Sequence, residues 1–265
     1  MKNIAIGQYF PGNSVLHKID PRVKILLTIF YTILIFVVDS YVGIAAIGLA
    51  TFICITLSEV RLITYLGSLK IIGLIALITS LVNLLYGSDE KVLFSLYVIK
   101  ITENSVKLSI LVFFRIIFAV LASSQLMFTT MPNDLSHGIE RLIMPLKFVK
   151  VPVHEIAMMM TISLRFVPIL LEESDKIIMA RKARGAKLEQ GSLKNRIKAF
   201  LPVLMLLFVS SFRKTNDLAT AMDCRCYRGG EGRTKMRVLK LKFLDLFCIL
   251  VFSTFFVPLL IFCVY

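Results

Sequence analysis

The chain has no tryptophan, only three histidines, and 17 acidic residues against 31 lysines and arginines. The shortage of histidine narrows the chemistry. His17, His137 and His154 stand apart, and no pair has the H-E-x-x-H or H-x-x-x-H spacing that would put two imidazoles on one helix face around zinc. There is no G-x-x-x-x-G-K-[ST] loop, so the chain has no phosphate cradle with which to hydrolyse ATP itself. Glu172-Glu173 with Asp175 could suggest a metal site, but beside Lys176 and Arg181 they read as a solvated helix face. Five cysteines form no disulfide framework. Cys54, Cys248 and Cys263 lie in apolar runs as small packing residues, while Cys224 and Cys226 form a C-x-C with no second pair or nearby histidine to complete a zinc set. These shortages argue against an enzyme and leave no catalytic, cofactor-binding or metal-binding residue to name.

What is abundant is apolar. Hydrophobic residues make up 57% of the 265, mean hydropathy is +0.80 and only 18% are charged. A soluble domain of this size could not hide so much apolar surface, whereas a bilayer can. A spanning helix needs about 20 mostly apolar residues. The stretch from Ile25 to Leu57 holds 33 and is interrupted by Asp39-Ser40. As one helix it would run roughly 50 Å, too long for a hydrocarbon core of about 30 Å. The sequence therefore predicts a hairpin of two short spans turning at Asp39-Ser40. A third span is expected over Ile71 to Tyr86, a fourth over Val106 to Met131 and a fifth over Phe243 to Tyr265, with Asp89 to Ser105 as an outer connection. The polar, Gly- and Pro-containing stretch from Met1 to Asp20 does not read as a signal peptide.

Charge sets the expected orientation. With the N-terminus inside, 27 of the 31 basic residues fall in inner segments, 21 of them between Thr129 and Lys242. Lys91, Lys100 and Lys107 would lie outside, and Arg115 falls within the fourth span. This is the bias of cytoplasmic loops, so the N-terminus is expected in the cytoplasm and the C-terminus outside. Arg115 would cost about 2.5–3.5 kcal/mol at a span centre, which calls either for a polar contact inside the bundle or for a side chain that snorkels from a displaced helix. Nucleic acid is not the expected partner, because ten acidic residues are interleaved with the 21 basic ones rather than leaving one basic block.

The segment from Thr129 to Lys242 is not a disordered tail. Ala157, Met160, Leu164, Val167, Leu171 and Ile178 recur at helical spacing, as do Ile197, Leu201, Leu204, Phe208 and Phe212. The apolar runs of both segments are short for spans, and a crossing by either or both would carry basic residues outwards. They are therefore expected inside or at the inner membrane face. Each ends in a basic cluster with an arginine between small residues: Ala183-Arg184-Gly185 and Cys224-Arg225-Cys226. One reading is a C-terminal cap that complements the helix dipole. The other is a helix end that inserts into a groove while the planar guanidinium meets a carboxylate.

Several motifs resemble one family, the transmembrane T component of energy-coupling factor transporters. The opening stretch from Gly7 to Lys24, with Gly7-Gln8-Tyr9-Phe10-Pro11-Gly12-Asn13 leading into Ile19-Asp20-Pro21-Arg22, is similar to that family's first motif. So are Glu140-Arg141-Leu142, Pro145-Leu146 and Leu164-Arg165-Phe166-Val167-Pro168. Ala183-Arg184-Gly185 matches the first of the family's two Ala-Arg-Gly signatures, and Cys224-Arg225-Cys226 stands at the second with cysteines replacing alanine and glycine. The resemblance implies an all-α polytopic protein of the bacterial cell membrane with about five transmembrane helices and two long cytoplasmic coupling helices. Residues 1–131 would form the N-terminal membrane part, 132–242 the coupling-helix region and 243–265 the last span. It further implies two ATP-binding ABC ATPase subunits as partners and a small substrate-binding membrane protein, the S component, packed in the lipid bilayer. ATP-driven motion would pass through Ala183, Arg184, Gly185, Cys224, Arg225 and Cys226 to drive uptake of a vitamin or metal ion. The alternative is a stand-alone channel or secondary transporter, for which internal repeats and several mid-span polar groups would be expected.

Overall fold

The computed structural model describes residues 9–85, 92–96, 99–149, 152–186, 192–229 and 242–264. Gly7, Gln8, Tyr86, Asp89, Lys91, Gly230 and Tyr265 lie outside this set. The chain divides into two units, Met1–Leu142 with Arg237–Tyr265, and Ile143–Met236.

The first unit contains α1 (Val15–Lys18), α2 (Pro21–Val37), α3 (Tyr41–Leu57), α4 (Leu62–Leu85), α5 (Glu103–Thr129), α6 (Pro132–Ile143) and α9 (Phe243–Val264). The break expected at Asp39-Ser40 is present between α2 and α3. The third apolar helix begins at Leu62, nine residues before the expected Ile71, and falls into two halves, Leu62–Lys70 and Ile72–Leu85, bent by 52° beside that expected start. The connection between α4 and α5 holds an antiparallel hairpin, β1 (Val92–Leu96) and β2 (Ile99–Thr102), with Val92 opposite Thr102 and Leu96 opposite Ile99. It is the one departure from helix in an otherwise all-α fold among the described residues. Thr102 then caps α5 by accepting from the Ser105 amide.

α5 is the axis of this unit, packed against α2, α3 and α4. Tyr31, Leu34 and Ile35 of α2, Ile44 and Ile47 of α3, Leu111 and Ala122 of α5 and Phe256 of α9 form one core. The α3–α5 approach is so close at Gly48 that a Cβ there would lie 2.7 Å from the Phe118 ring. Tyr31 donates its hydroxyl to the Ile47 carbonyl at 3.0 Å, giving the buried phenol a partner. Ile29, Phe30, Ile33 and Phe36 of α2 and Leu246, Phe247 and Leu250 of α9 are exposed on the protein's own surface, as lipid-facing side chains are.

Arg115 is largely buried and reaches the α2–α3 break. It donates to the Val38 carbonyl at 2.6 Å and pairs with Asp39. The intramembrane arginine thus has polar partners, the first of the two readings of the sequence.

At the other end of the helices the opening motif is pinned by polar contacts. The Phe10 carbonyl can only accept, so His17 donates to it from Nε2 at 2.9 Å, and its Nδ1 shares a hydrogen bond with the Ser14 hydroxyl at 2.6 Å. The Phe10 amide donates to the Phe128 carbonyl at 3.1 Å, and the two rings meet edge to face. Asp20 caps α2 by accepting from the Arg22 amide, with Pro21 favoured at the first helical position. Asp245, only 1% exposed, receives the Asp20 amide at 2.7 Å and the Lys242 amide at 2.6 Å, the second contact being the return half of a capping box. Lys24, also buried, donates to the Thr129 carbonyl and the Thr130 hydroxyl, tying the start of α2 to the end of α5.

The second unit contains a 3-10 turn (Met144–Val149), α7 (Val153–Ala183) and α8 (Leu193–Cys224). Both helices run through an internal proline, Pro168 and Pro202, and extend well beyond the apolar runs that suggested them. By length and composition alone α5, α7 and α8 are sufficient to cross a membrane, α4 qualifies if its two halves form one span, and α3 and α9 are shorter apolar helices.

Two of the carboxylates in the first unit, Asp245 and Asp39, should differ sharply in weight. Asp245→Ala strands the buried Asp20 amide and the part-buried Lys242 amide and is expected to cost about 2–3 kcal/mol, whereas Asp39→Asn alters a pair whose carboxylate is exposed and should cost less than about 1 kcal/mol. Thermal unfolding of the detergent-solubilised protein checks this ranking, and equal effects would contradict it.

Candidate functional site

α7 and α8 meet in a described ion pair, Glu173 to Lys214 at 2.9 Å. The expected solvated face of α7 thus includes one residue, Glu173, that also pairs across to α8. Lys214 donates a hydrogen bond to it and, with a smaller contribution from Lys176, holds its carboxyl below the usual carboxylate range. Residues 158–169 of α7 line one cavity with residues 218–229, beyond the pair in the opposite chain sense, so the helices pack antiparallel. Arg184 and Arg225 each follow their member of the pair by eleven residues. At 1.5 Å per residue each arginine stands about 16 Å along its helix from the pair, in opposite directions. The two signatures are therefore not brought together. They form two separate tips.

Each tip has the same backbone. At the end of α7 the Gly185 amide donates to the Lys182 carbonyl and the Ala186 amide to the Arg181 carbonyl. At the end of α8 the Cys226 amide donates to the Asp223 carbonyl and the Tyr227 amide to the Met222 carbonyl. Both are Schellman caps, which require a left-handed residue just past the helix. Gly185 supplies it at φ +81°. Cys226 takes the same role at φ +55°, where a side chain is disfavoured. The glycine-to-cysteine replacement thus preserves the turn at the cost of local strain, a feature not legible in the sequence because cysteine carries no left-handed preference.

The capping reading of the arginine clusters is correct for the backbone, and it leaves the side chains over. Ala183, Arg184, Gly185, Cys224, Arg225 and Cys226 are all exposed. Backbone amides make the caps, so neither guanidinium is used in closing its helix, and neither has an acidic partner among the described residues. Each cap instead presents a permanently charged, five-donor fork at the end of a rigid helix. Cys224 and Cys226 are free thiols.

Beside the second tip the structure adds two residues that sequence reasoning did not assign to a site. Arg165, from the Leu-Arg-Phe-Val-Pro run, and Arg228 join Arg225 in lining the cavity between the helices. Only their wide separation in sequence hid the grouping.

The caps make a direct prediction. No atom lies within 4 Å of a Cβ added at Gly185, so Gly185→Ala tests conformation without a clash and should destabilise the tip by about 1 kcal/mol. Cys226→Gly should do the reverse by a similar amount. Amide hydrogen exchange over Arg181–Ala186 and Met222–Tyr227 reads both, and unchanged protection in either variant would contradict the strain assignment.

The family model described as CbiQ, cobalt transport protein, matches residues 12–236. The energy-coupling factor transporter transmembrane protein EcfT of Ruminiclostridium cellulolyticum is 45% identical over 240 residues, covering 91% of this chain and 90% of the relative. The protein of the same name from Clostridium kluyveri is 44% identical over 242 residues, with the same coverage of both chains. That of Bacillus subtilis is 39% identical over 239 residues, covering 90% of each. The resemblance read from the opening motif and the arginine signatures is therefore borne out along nearly the whole chain, and the protein belongs to the EcfT family of energy-coupling factor transporter transmembrane proteins.

Proposed function

We propose that this membrane protein is the non-catalytic coupling subunit of an energy-coupling factor importer, in which α7 and α8 carry ATP-driven motion from two ABC ATPase subunits to a small substrate-binding membrane protein. The observation that carries the reading is the pair of capped helix tips, each with an exposed arginine unused by its own helix. Two equivalent tips facing opposite ways suit two equivalent ATPase grooves. Rigid capping matters here, since a tip that frayed on contact would absorb displacement instead of transmitting it. A guanidinium fork gives each contact direction as well as charge through bidentate pairing with a carboxylate.

The placement of α7 and α8 at the inner face rests on charge. Their length and apolarity would allow each to cross. Yet a crossing would carry Arg181, Lys182, Arg184 or the basic start of α8 to the outer side, against the excess of positive charge expected in the cytoplasm. Interfacial helices with one apolar face reconcile the composition with the charge. On this reading the N-terminus is cytoplasmic, α2, α3, α4, α5 and α9 form five spans, and the C-terminus lies outside. Exposed apolar surface on the first unit supplies the contact area for lipid and for the substrate-binding partner, whose cargo is a vitamin or a metal ion.

The test is co-purification from membranes. Tagged wild type is compared with Arg184→Ala, Arg225→Ala and the double variant, scoring recovered ATPase subunits and substrate uptake. The expected result is recovery with wild type and loss of uptake by more than about tenfold in the double variant at equal membrane insertion, as fits removal of charge-assisted contacts at two grooves. Normal recovery and uptake in the double variant would reduce the arginines to surface charges and favour a stand-alone channel or secondary transporter.

A further inference from the structure

The cavity between α7 and α8 has a composition that coupling does not explain. Its volume is about 890 Å³, within the range of sites that enclose a small amphipathic molecule. Arg165, Arg225 and Arg228 contribute three guanidiniums, while no carboxylate lines it. None of the three arginines has an ion-pair partner among the described residues. The remaining wall is mainly apolar, with Met158, Ile162 and Phe166 among the side chains. Three arginines on one cavity with no carboxylate in its lining give it a positive potential that favours an anion.

The form of the cavity selects among anions. A carboxylate presented by a protein loop would bring backbone amides and carbonyls that the apolar wall leaves without partners. A free phosphate would satisfy the arginines and leave the apolar wall empty. A phospholipid satisfies both: its phosphodiester meets the guanidiniums and its acyl chains cover Met158, Ile162 and Phe166. Basic pockets between helices on the cytoplasmic side are a recurring form of such recognition.

We infer that this cavity is a binding site for an anionic phospholipid of the inner leaflet, with Arg165 and Arg228 as its headgroup ligands and Arg225 shared between lipid and the second coupling tip. The inference rests on the inner-face placement of α7 and α8 proposed above. It goes beyond that placement by giving the second tip a lipid-dependent environment. Lipid in the cavity would hold the α8 end against α7, so that the second tip is presented in one orientation before any ATPase arrives.

The site is tested on the full chain alone, in nanodiscs or detergent, with no ATPase present, so that a failure of the coupling reading leaves the result intact. Native mass spectrometry after exchange into phosphatidylglycerol or phosphatidylcholine reads the lipid retained. Wild type should retain phosphatidylglycerol over phosphatidylcholine. Arg165→Ala with Arg228→Ala should reduce that retention about tenfold or more, as fits the loss of two basic side chains from an anionic site. Lys194→Ala with Lys198→Ala, which removes two charges elsewhere on α8, should leave it unchanged. Should the alanine pair fail to fold, Arg165→Lys with Arg228→Lys keeps charge and stem but loses the bidentate fork, and an intermediate loss is expected. Equal retention of both lipids by wild type overturns the proposal, as does undiminished retention in a folded alanine pair. Displacement of the lipid by millimolar inorganic phosphate would also overturn it, showing a simple anion site. So would an alanine pair that keeps its lipid but, in a parallel co-purification, loses the ATPase subunits, since the cavity would then serve an acidic protein partner.

Discussion

The carboxylate of Asp245 holds the two ends of the chain in one place. It lies 225 residues from Asp20 yet accepts that residue's amide, and its second oxygen closes the first turn of its own helix. Asp20 in turn caps α2, and Lys24 one turn later is fixed to the last residues of α5. Without this junction the start of α2, the end of α5 and the start of α9 would each present unpaired polar groups at the edge of an apolar medium, where every unmet amide is expensive. Charges are buried here because each has several partners at once, the condition under which burial is tolerable. The opening motif therefore works first as architecture.

A second polar junction closes the opposite side of the same unit. Arg115 satisfies the carbonyl of Val38, which caps the end of α2, and pairs with Asp39 in the break before α3. Between the two junctions the helices pack through apolar side chains and close approaches such as Gly48 against Phe118. The division of labour is physical: polar contacts define where helices begin and end, and shape governs how they lie together.

Much of this was legible beforehand. Asp39-Ser40 announced a turn because no 33-residue helix fits a bilayer, and Gly185 announced a cap because glycine alone enters the left-handed region freely. The opening motif, the Leu-Arg-Phe-Val-Pro run and the two arginine signatures carried the resemblance to the family. Other features were hidden for definite reasons. The hairpin at Val92–Leu96 and Ile99–Thr102 lacks the Asn-Gly type of turn that marks a tight connection. The length of α7 and α8 was masked by polar residues that end an apolar run without ending a helix. The left-handed Cys226 and the grouping of Arg165 with Arg228 arise from tertiary context, in which residues far apart in sequence decide each other's conformation.

The position of the Glu173–Lys214 pair has a mechanical side. It stands at equal sequence distance from both arginines, which gives α7 and α8 arms of matched length measured from it. For arms of about 16 Å, a relative turn of about 10° sweeps each arginine through roughly 3 Å, in opposing senses. That is more than the tolerance of a bidentate contact, which changes from formed to broken within a fraction of that distance. On the proposed coupling role, small rotations between the helices become all-or-none changes at both tips, and equal arms keep those changes in step.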